Sequence, residues 1–277
     1  MTEFVDVAGG RIAYDAGGSG PLVVLSHGIG AGRPDYRFLA PMLAQAGYRV
    51  ASADLRGHGE SSLGWPSITR TDIAGDLAAL TAHLGGPAVI AGHSISGGAA
   101  TIAAATRPDL VTGIIEINPF TRTVRYSLGG LLRVRRYRRC LFLLGGTQLF
   151  RSLGLFMRYL DLAYPTKPAD YPGYRAALAA KLREPGRMAE FMKTFKSTPA
   201  DAEAQLPHVK CPALVIMGML DPDFPGPRAE GEAIVTAMSA GAATVAMVDG
   251  AGHYPHAQSP DAVGELVIPF LKEHAGA

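Results

Sequence analysis

At 277 residues, 48% of them hydrophobic and with a formal charge of +2, the chain is long enough to bury about three quarters of its unfolded surface. That excludes a disulfide-stapled mini-protein and a charge-driven disordered chain. Its 34 glycines and 20 prolines suit a fold with many tight strand-to-helix corners.

The two cysteines, Cys140 and Cys211, belong to no CxxC pair or His-rich ligand cluster, so neither reads as a redox or metal group. The start, Met1 to Asp6, lacks the basic residues and apolar run of a signal peptide. The longest membrane candidate, Cys140 to Phe150, is short and broken by Gly145, Gly146, Thr147 and Gln148. A cytoplasmic location is the expectation. Charge is unevenly spread: residues 119–200 hold 16 Lys+Arg and 4 Asp+Glu, a balance of +12, which marks a separate structural layer.

In chain order, Phe4–Ala8 and Arg11–Asp15 flank a Gly9-Gly10 corner and predict a hairpin. Pro21–Ser26 is a short β-rich run. Asp35–Gly47 is helical in pattern, with Phe38, Leu39, Met42 and Leu43 on one face. A strand over Arg49–Asp54, a helix over Asp72–Leu84, a strand over Ala88–Gly92, a helix over Ile95–Thr106 and a strand over Val111–Ile117 follow. Later come a strand over Ala213–Gly218, a helix over Arg228–Ser239, a strand over Thr244–Val248 and a closing helix over Asp261–His274. Several strands are continuous apolar runs, as in a parallel sheet covered by helices on both faces.

Residues 119–205 show no strand pattern and predict about four helices, over Ser127–Leu144, Thr147–Leu162, Tyr171–Leu182 and Arg187–Phe195. One reading is ordinary cap helices with long Arg stems lying on apolar surface. A second has Leu128, Leu131, Leu132, Phe142, Phe150 and Phe156 lining an acyl-sized cavity, with Tyr254 beside them. Its rim would be positive, from Arg133, Arg135, Arg136, Arg138 and Arg139, and would attract an anionic partner. A third is an amphipathic membrane-surface role.

The strongest local signal is Ala91-Gly92-His93-Ser94-Ile95-Ser96-Gly97-Gly98-Ala99, between an apolar strand and a helix. A nucleophile on a sharp strand-to-helix turn needs small residues two positions either side, and Ser94 has Gly92 and Ser96. Ser96 is the competing nucleophile. It forgoes Gly92 at the tightest contact. Ser26-His27-Gly28-Ile29-Gly30 forms a loop that would aim the Ile29 N–H at the same point as the Ile95 N–H, making an oxyanion hole. His27 then shapes the loop. His253, between a strand and the last helix and next to Gly252, is the candidate general base, with His256 its rival. Asp221, close after its strand and followed by Pro222, is the candidate orienting acid; Asp223 and Glu116 compete. No HxxxH or HExxH occurs, and the HxxH at 253–256 has no evident third ligand, so no metal is expected.

These elements, in the order serine, aspartate, histidine, resemble the α/β-hydrolase superfamily. The loop Asp54-Leu55-Arg56-Gly57-His58-Gly59-Glu60-Ser61, His27-Gly28 after the third strand and Gly252-His253 before the last helix add to the likeness. The resemblance covers residues 1–118 and 206–277. It implies an eight-stranded, mostly parallel sheet with helices on both faces and a helical cap inserted after the sixth strand, here at 119–205. Carried over, Ser94 is the nucleophile, Asp221 the acid, His253 the base, and Ile29 with Ile95 the oxyanion donors. The Gly-His-Ser-Ile-Ser run is similar to capped single-domain hydrolases that include the strigolactone and karrikin receptors, and cofactor-free haloperoxidases look similar too. The Arg-rich insert departs from the compact lids of those receptors.

The implied activity is cofactor-free hydrolysis of a small carboxylic ester, with a medium or long acyl chain, or of a lactone. Rival readings are a thioesterase or acyltransferase served by an anionic acyl carrier, and a non-enzymatic binding module. Nucleic-acid binding is not expected, because the basic segment is an apolar helical insert.

Overall fold

The computed structural model describes residues 1–123, 128–238 and 243–275. Eight strands form one sheet in the order β1-β2-β4-β3-β5-β6-β7-β8. They are β1 (Glu3–Val7), β2 (Gly10–Gly17), β3 (Leu22–Ser26), β4 (Arg49–Ala53), β5 (Ala88–His93), β6 (Val111–Ile117), β7 (Ala213–Gly218) and β8 (Ala243–Val248). Only β2 runs against its neighbours; β4, β3, β5, β6, β7 and β8 pair in parallel.

The apolar runs divide by parity, as a pleat requires. Leu22, Val24, Ala88 and Ile90 face one side, packed beneath α2 (Arg70–His83) and α3 (Ile95–Thr106) with Ile73, Leu77, Leu80 and Ala99. Val23, Leu25, Val89 and Ala91 face the other, against α1 (Leu39–Gln45) and, near the C-terminus, α12 (Pro260–His274) with Val263 and Val267. Each fully buried Leu, Ile or Val contributes about 1.5–3 kcal/mol relative to exposure, so both faces of the sheet are strongly specified.

The insert after β6 is wholly helical among its described residues. It comprises α4 (Leu128–Arg133), α5 (Arg135–Phe150), α6 (Leu153–Ala163), α7 (Tyr171–Arg183), α8 (Arg187–Thr194) and the short α9 (Ala200–Glu203). The single helix expected over Ser127–Leu144 breaks instead at Val134, which is extended, and Ser127 lies outside the described residues. α5 then runs through Gly145 and Gly146. A Cβ on Gly146 would meet Leu155 Cδ1 at 2.8 Å, so this glycine lets α5 approach α6 and does not break it. Arg151, in the left-handed region with φ 49°, ends the helix. α10 (Pro227–Ala237) and the one-turn α11 (Pro255–Gln258) complete the core; Ser239, the expected end of α10, lies outside the described residues.

Candidate active site

The carboxyl ends of β3, β5, β7 and β8 meet at one edge of the sheet, and the parallel pairing of Ser26 with Gly92 sets the His27 loop beside the turn after β5. Ser94 occupies that turn with φ 57° and ψ −117°, a strained conformation for a residue with a side chain. A Cβ on Gly92 would lie 2.1 Å from the Ser96 carbonyl oxygen, and one on Gly97 2.5 Å from Pro119 Cβ. Small residues are therefore obligatory on both sides. Ser96 is fully buried and its hydroxyl donates to the His27 carbonyl at 2.6 Å, so it fastens the two loops together and does not face a substrate.

The Ile95 N–H opens α3 and the Ile29 N–H lies on the facing loop; neither bonds to a described residue. Two buried histidines fix that loop. His27 Nδ1 donates to the Gly28 carbonyl at 2.7 Å while Nε2 accepts the Leu55 N–H at 3.0 Å. His58 Nδ1 donates to the Arg56 carbonyl while Nε2 accepts the Gly30 N–H at 3.1 Å. Burial drives the His58 pKa down to about 3, which keeps the ring a neutral acceptor.

His253 follows β8 and Asp221 follows β7. His253 Nδ1 donates to Asp221 Oδ2 at 2.8 Å, which leaves Nε2 as the other ring nitrogen, and Ser94 lines the same cavity as this ring. Asp223 supplies a second carboxylate, 3.4 Å from the same Nδ1, and is held by the Tyr159 hydroxyl and the Cys140 thiol, each at 2.8 Å, from α6 and α5. Burial opposes charge on His253, but Asp221 and Asp223 outweigh it and raise the pKa to about 9. Burial, with the neighbouring Asp221 charge, in turn raises that of Asp223. The cap seats directly on the candidate base: the His253 N–H donates to the Ala163 carbonyl, and a Cβ on Gly252 would lie 2.2 Å from that oxygen. Close approach of the cap, and not a positive φ, is why this position is glycine.

The rival residues have other duties. Glu116 accepts from Thr101 and Thr121 within the core. His256 stacks on Tyr36 at 4.8 Å. Behind the site, His93 Nε2 donates to the His253 carbonyl at 2.8 Å, and its Nδ1 looks toward Asp35 Oδ2 at 3.9 Å. The two histidines of the HxxH at 253–256 fall in separate clusters: Asp35, His93 and His256 lie closely enough together to hold a cation, as do Asp221, Asp223 and His253. In the second group the close hydrogen bonds among its own members and to the cap already engage the donor atoms.

Ser94, Ile29, Ile95, His253 and Tyr254 line one cavity of about 550 Å³. Its apolar walls come from Phe120, Leu141, Leu144, Tyr159 and Phe195. The expected acyl-lining set is largely corrected. Leu128 and Leu132 are 73% exposed and Phe142 and Phe150 71%, so they lie on the outside of the cap; Leu131 does not reach the cavity either. Phe156 is buried within the cap, stacked on Tyr159 and packed against Phe191, and braces Gly30 from behind. The phase of α5 explains the difference. Its buried residues, Tyr137, Cys140, Leu143 and Thr147, define an inner face that turns Phe142 and Phe150 outward.

The arginine rim is corrected likewise: Arg133, Arg135, Arg136, Arg138 and Arg139 do not line the cavity. Arg138, Arg139, Phe142 and Arg158 line a separate cleft, and Arg136 Nε donates to the Asp221 carbonyl at 3.2 Å. Arg70 and Lys196, neither singled out by the sequence, line the Ser94 cavity together with His253. A helix-start signal was present for Arg70: Thr69 and Asp72 form a reciprocal capping box that begins α2 there and not at Asp72.

A family model described as the alpha/beta hydrolase family matches residues 23–266. The chain belongs to that family. It is 27% identical over 286 residues to a 2-(acetamidomethylene)succinate hydrolase of Mesorhizobium japonicum, covering 98% of this chain and 95% of the other. Its fold is similar to that of a bacterial membrane phospholipase A (TM-score 0.82, 24% identity, 100% of this chain and 87% of the other). It is also similar to an enol-lactonase from Burkholderia xenovorans LB400 (TM-score 0.75, 22% identity, 98% and 100%).

Proposed function

We propose that the protein is a serine hydrolase that cleaves a carboxylic ester or lactone through an acyl-Ser94 intermediate. The observation that carries this reading is the buried His253–Asp221 hydrogen bond beside a cavity lined by a strained serine and by Ile29 and Ile95, whose amides have no partner among the described residues. His253 Nε2 takes the Ser94 proton as Oγ attacks the carbonyl carbon, and the Ile29 and Ile95 N–H groups hold the oxyanion, each contributing roughly 3–4 kcal/mol. Collapse expels the alcohol, which leaves with the proton from His253. Water, deprotonated by the same ring, then attacks the acyl carbon and releases the acid and free Ser94.

The walls of Ile29, Phe120, Leu141, Leu144 and Phe195 favour an acyl group of medium length. Burst release of alcohol from chromogenic esters of graded chain length tests the whole reading. Ser94→Ala is expected to lower kcat by about 10⁴-fold or more with the fold intact. Equal turnover by that variant would refute it. A second reading, delivery of the acyl group by an anionic carrier, is favoured by the exposed Arg133, Arg135, Arg138 and Arg139. Its mark is a steep salt dependence of kcat/KM for the carrier-bound substrate alone.

A further inference from the structure

Arg70 is 4% exposed yet lines the cavity that holds Ser94. It sits at the first position of α2 and lies over the start of α3, where a Cβ on Gly98 would meet its Cδ at 2.8 Å. Nε donates to the Phe120 carbonyl and Nη1 to the Ser197 hydroxyl, both at 2.8 Å. Phe120 in turn donates its N–H to the Ser94 carbonyl, so the guanidinium stands one residue away from the nucleophile. Nη2 has no acceptor among the described residues, and none of their carboxylates forms an ion pair with Arg70. Asp201, the acidic group acting on Arg70, spends its oxygens on the Thr71 hydroxyl and the Ala202 N–H.

A buried cation without a counter-ion is costly, and proteins ordinarily pair it. Here the pairing is incomplete among the described residues, and on the cavity lining exposed Lys196 adds a second positive charge and Ser197 and Thr198 add hydroxyls. Asp223, the one carboxylate among the described lining residues, is held by Tyr159, Cys140 and the His253 ring and forms no ion pair with Arg70. A guanidinium fork matches an oxyanion in geometry as well as charge.

Resting on the serine-hydrolase reading, we propose that Arg70, assisted by Lys196, is a specificity-determining anion subsite, and that the natural ester or lactone carries an oxyanion a few atoms from the bond that is cleaved. Neutral esters then use the apolar walls alone, and the anionic substrate gains an ion pair in a largely water-excluded site.

The test compares aryl hemisuccinate with its neutral isostere, aryl succinamate, for an anion on the acyl side. Acetyl 4-hydroxybenzoate and acetyl 4-hydroxybenzamide make the same comparison on the leaving side. The full chain is expected to favour one anionic member by about tenfold or more in kcat/KM. Arg70→Met should bring that ratio close to one, Arg70→Lys should keep part of it, and Lys196→Met, at an exposed position, should lower it severalfold. Succinate should compete with a neutral ester; weaker competition by inorganic phosphate than by succinate would mark the group as a carboxylate, and the reverse a phosphate. The proposal is overturned if neither anionic ester is preferred and neither anion competes, or if the preference survives both Arg70→Met and Lys196→Met. Anion binding is read separately as a rise in the Tm of Ser94→Ala with succinate. Such a rise without turnover of any ester by the wild type would keep the subsite and refute the hydrolase reading.

Discussion

Two carboxylates around one imidazole make Asp223 the residue whose removal is most informative after the proposed triad itself. A general base must be neutral, and Asp221 and Asp223 together raise the His253 pKa to about 9, so the acid limb of kcat/KM is expected to climb toward that pH. Replacing Asp223 with asparagine removes one negative charge 3.4 Å from Nδ1. The midpoint of the limb should therefore move to lower pH, while Asp221 keeps the ring in place. A pH–rate profile with an unmoved limb would show that Asp223 serves only to anchor Tyr159 and Cys140. At this scale the sequence was legible wherever backbone geometry demanded a residue type. Ser94 between Gly92 and Ser96, and His27 as a loop former, followed from such demands. The choice of Asp221 over Asp223 did not, because both carboxylates sit within reach of the ring and only the loop's path ranks them.

Among the elements, strands read better than cap helices, for a physical reason. The runs Leu22–Ser26, Ala88–His93 and Ala213–Gly218 are buried on both faces, so their composition alone reports their environment. α5 is apolar and basic on several sides at once, and leucine or phenylalanine content could not say which face met the cavity. The phase of Tyr137, Cys140, Leu143 and Thr147 could, and it reverses the roles assigned to Phe142 and Phe150. β6 offers a stability test. Burial raises the Glu116 pKa from 4.5 to about 7, against the opposing hydrogen bonds from Thr101 and Thr121. The folded state thus binds this proton more tightly than the unfolded chain. Its stabilisation is full below pH 4.5 and is lost as pH rises through about 7. Glu116→Gln should remove a downward contribution to the change of Tm with pH across that window; Asp35, raised to about 6, contributes a slope of the same sign, and the buried His58 and His256, lowered to about 3, contribute one of the opposite sign. A wild-type pH dependence of Tm left unchanged by Glu116→Gln would remove Glu116 as a contributor to it.

For the whole molecule, the helical insert after β6 was visible as a jump in charge, because residues 119–200 carry a balance of +12. What the charge could not show is where the positive groups point. Most decorate the outer surface of the cap, and the two that enter the cavity, Arg70 and Lys196, come from the core's α2 and from the stretch between α8 and α9. Core and cap meet at His253, whose N–H bonds to Ala163, and at Asp223, which bonds to Tyr159 and Cys140, so the cap helps to position the base as well as to roof the cavity. The central claim is that Ser94 is activated by His253 and Asp221. It is tested most directly by labelling the protein with a fluorophosphonate and mapping the adduct by mass spectrometry. One adduct per chain on Ser94, abolished in Ser94→Ala and strongly slowed in His253→Ala, is the expected result. No adduct, an adduct on another residue, or labelling of Ser94 that is indifferent to His253 would contradict the account.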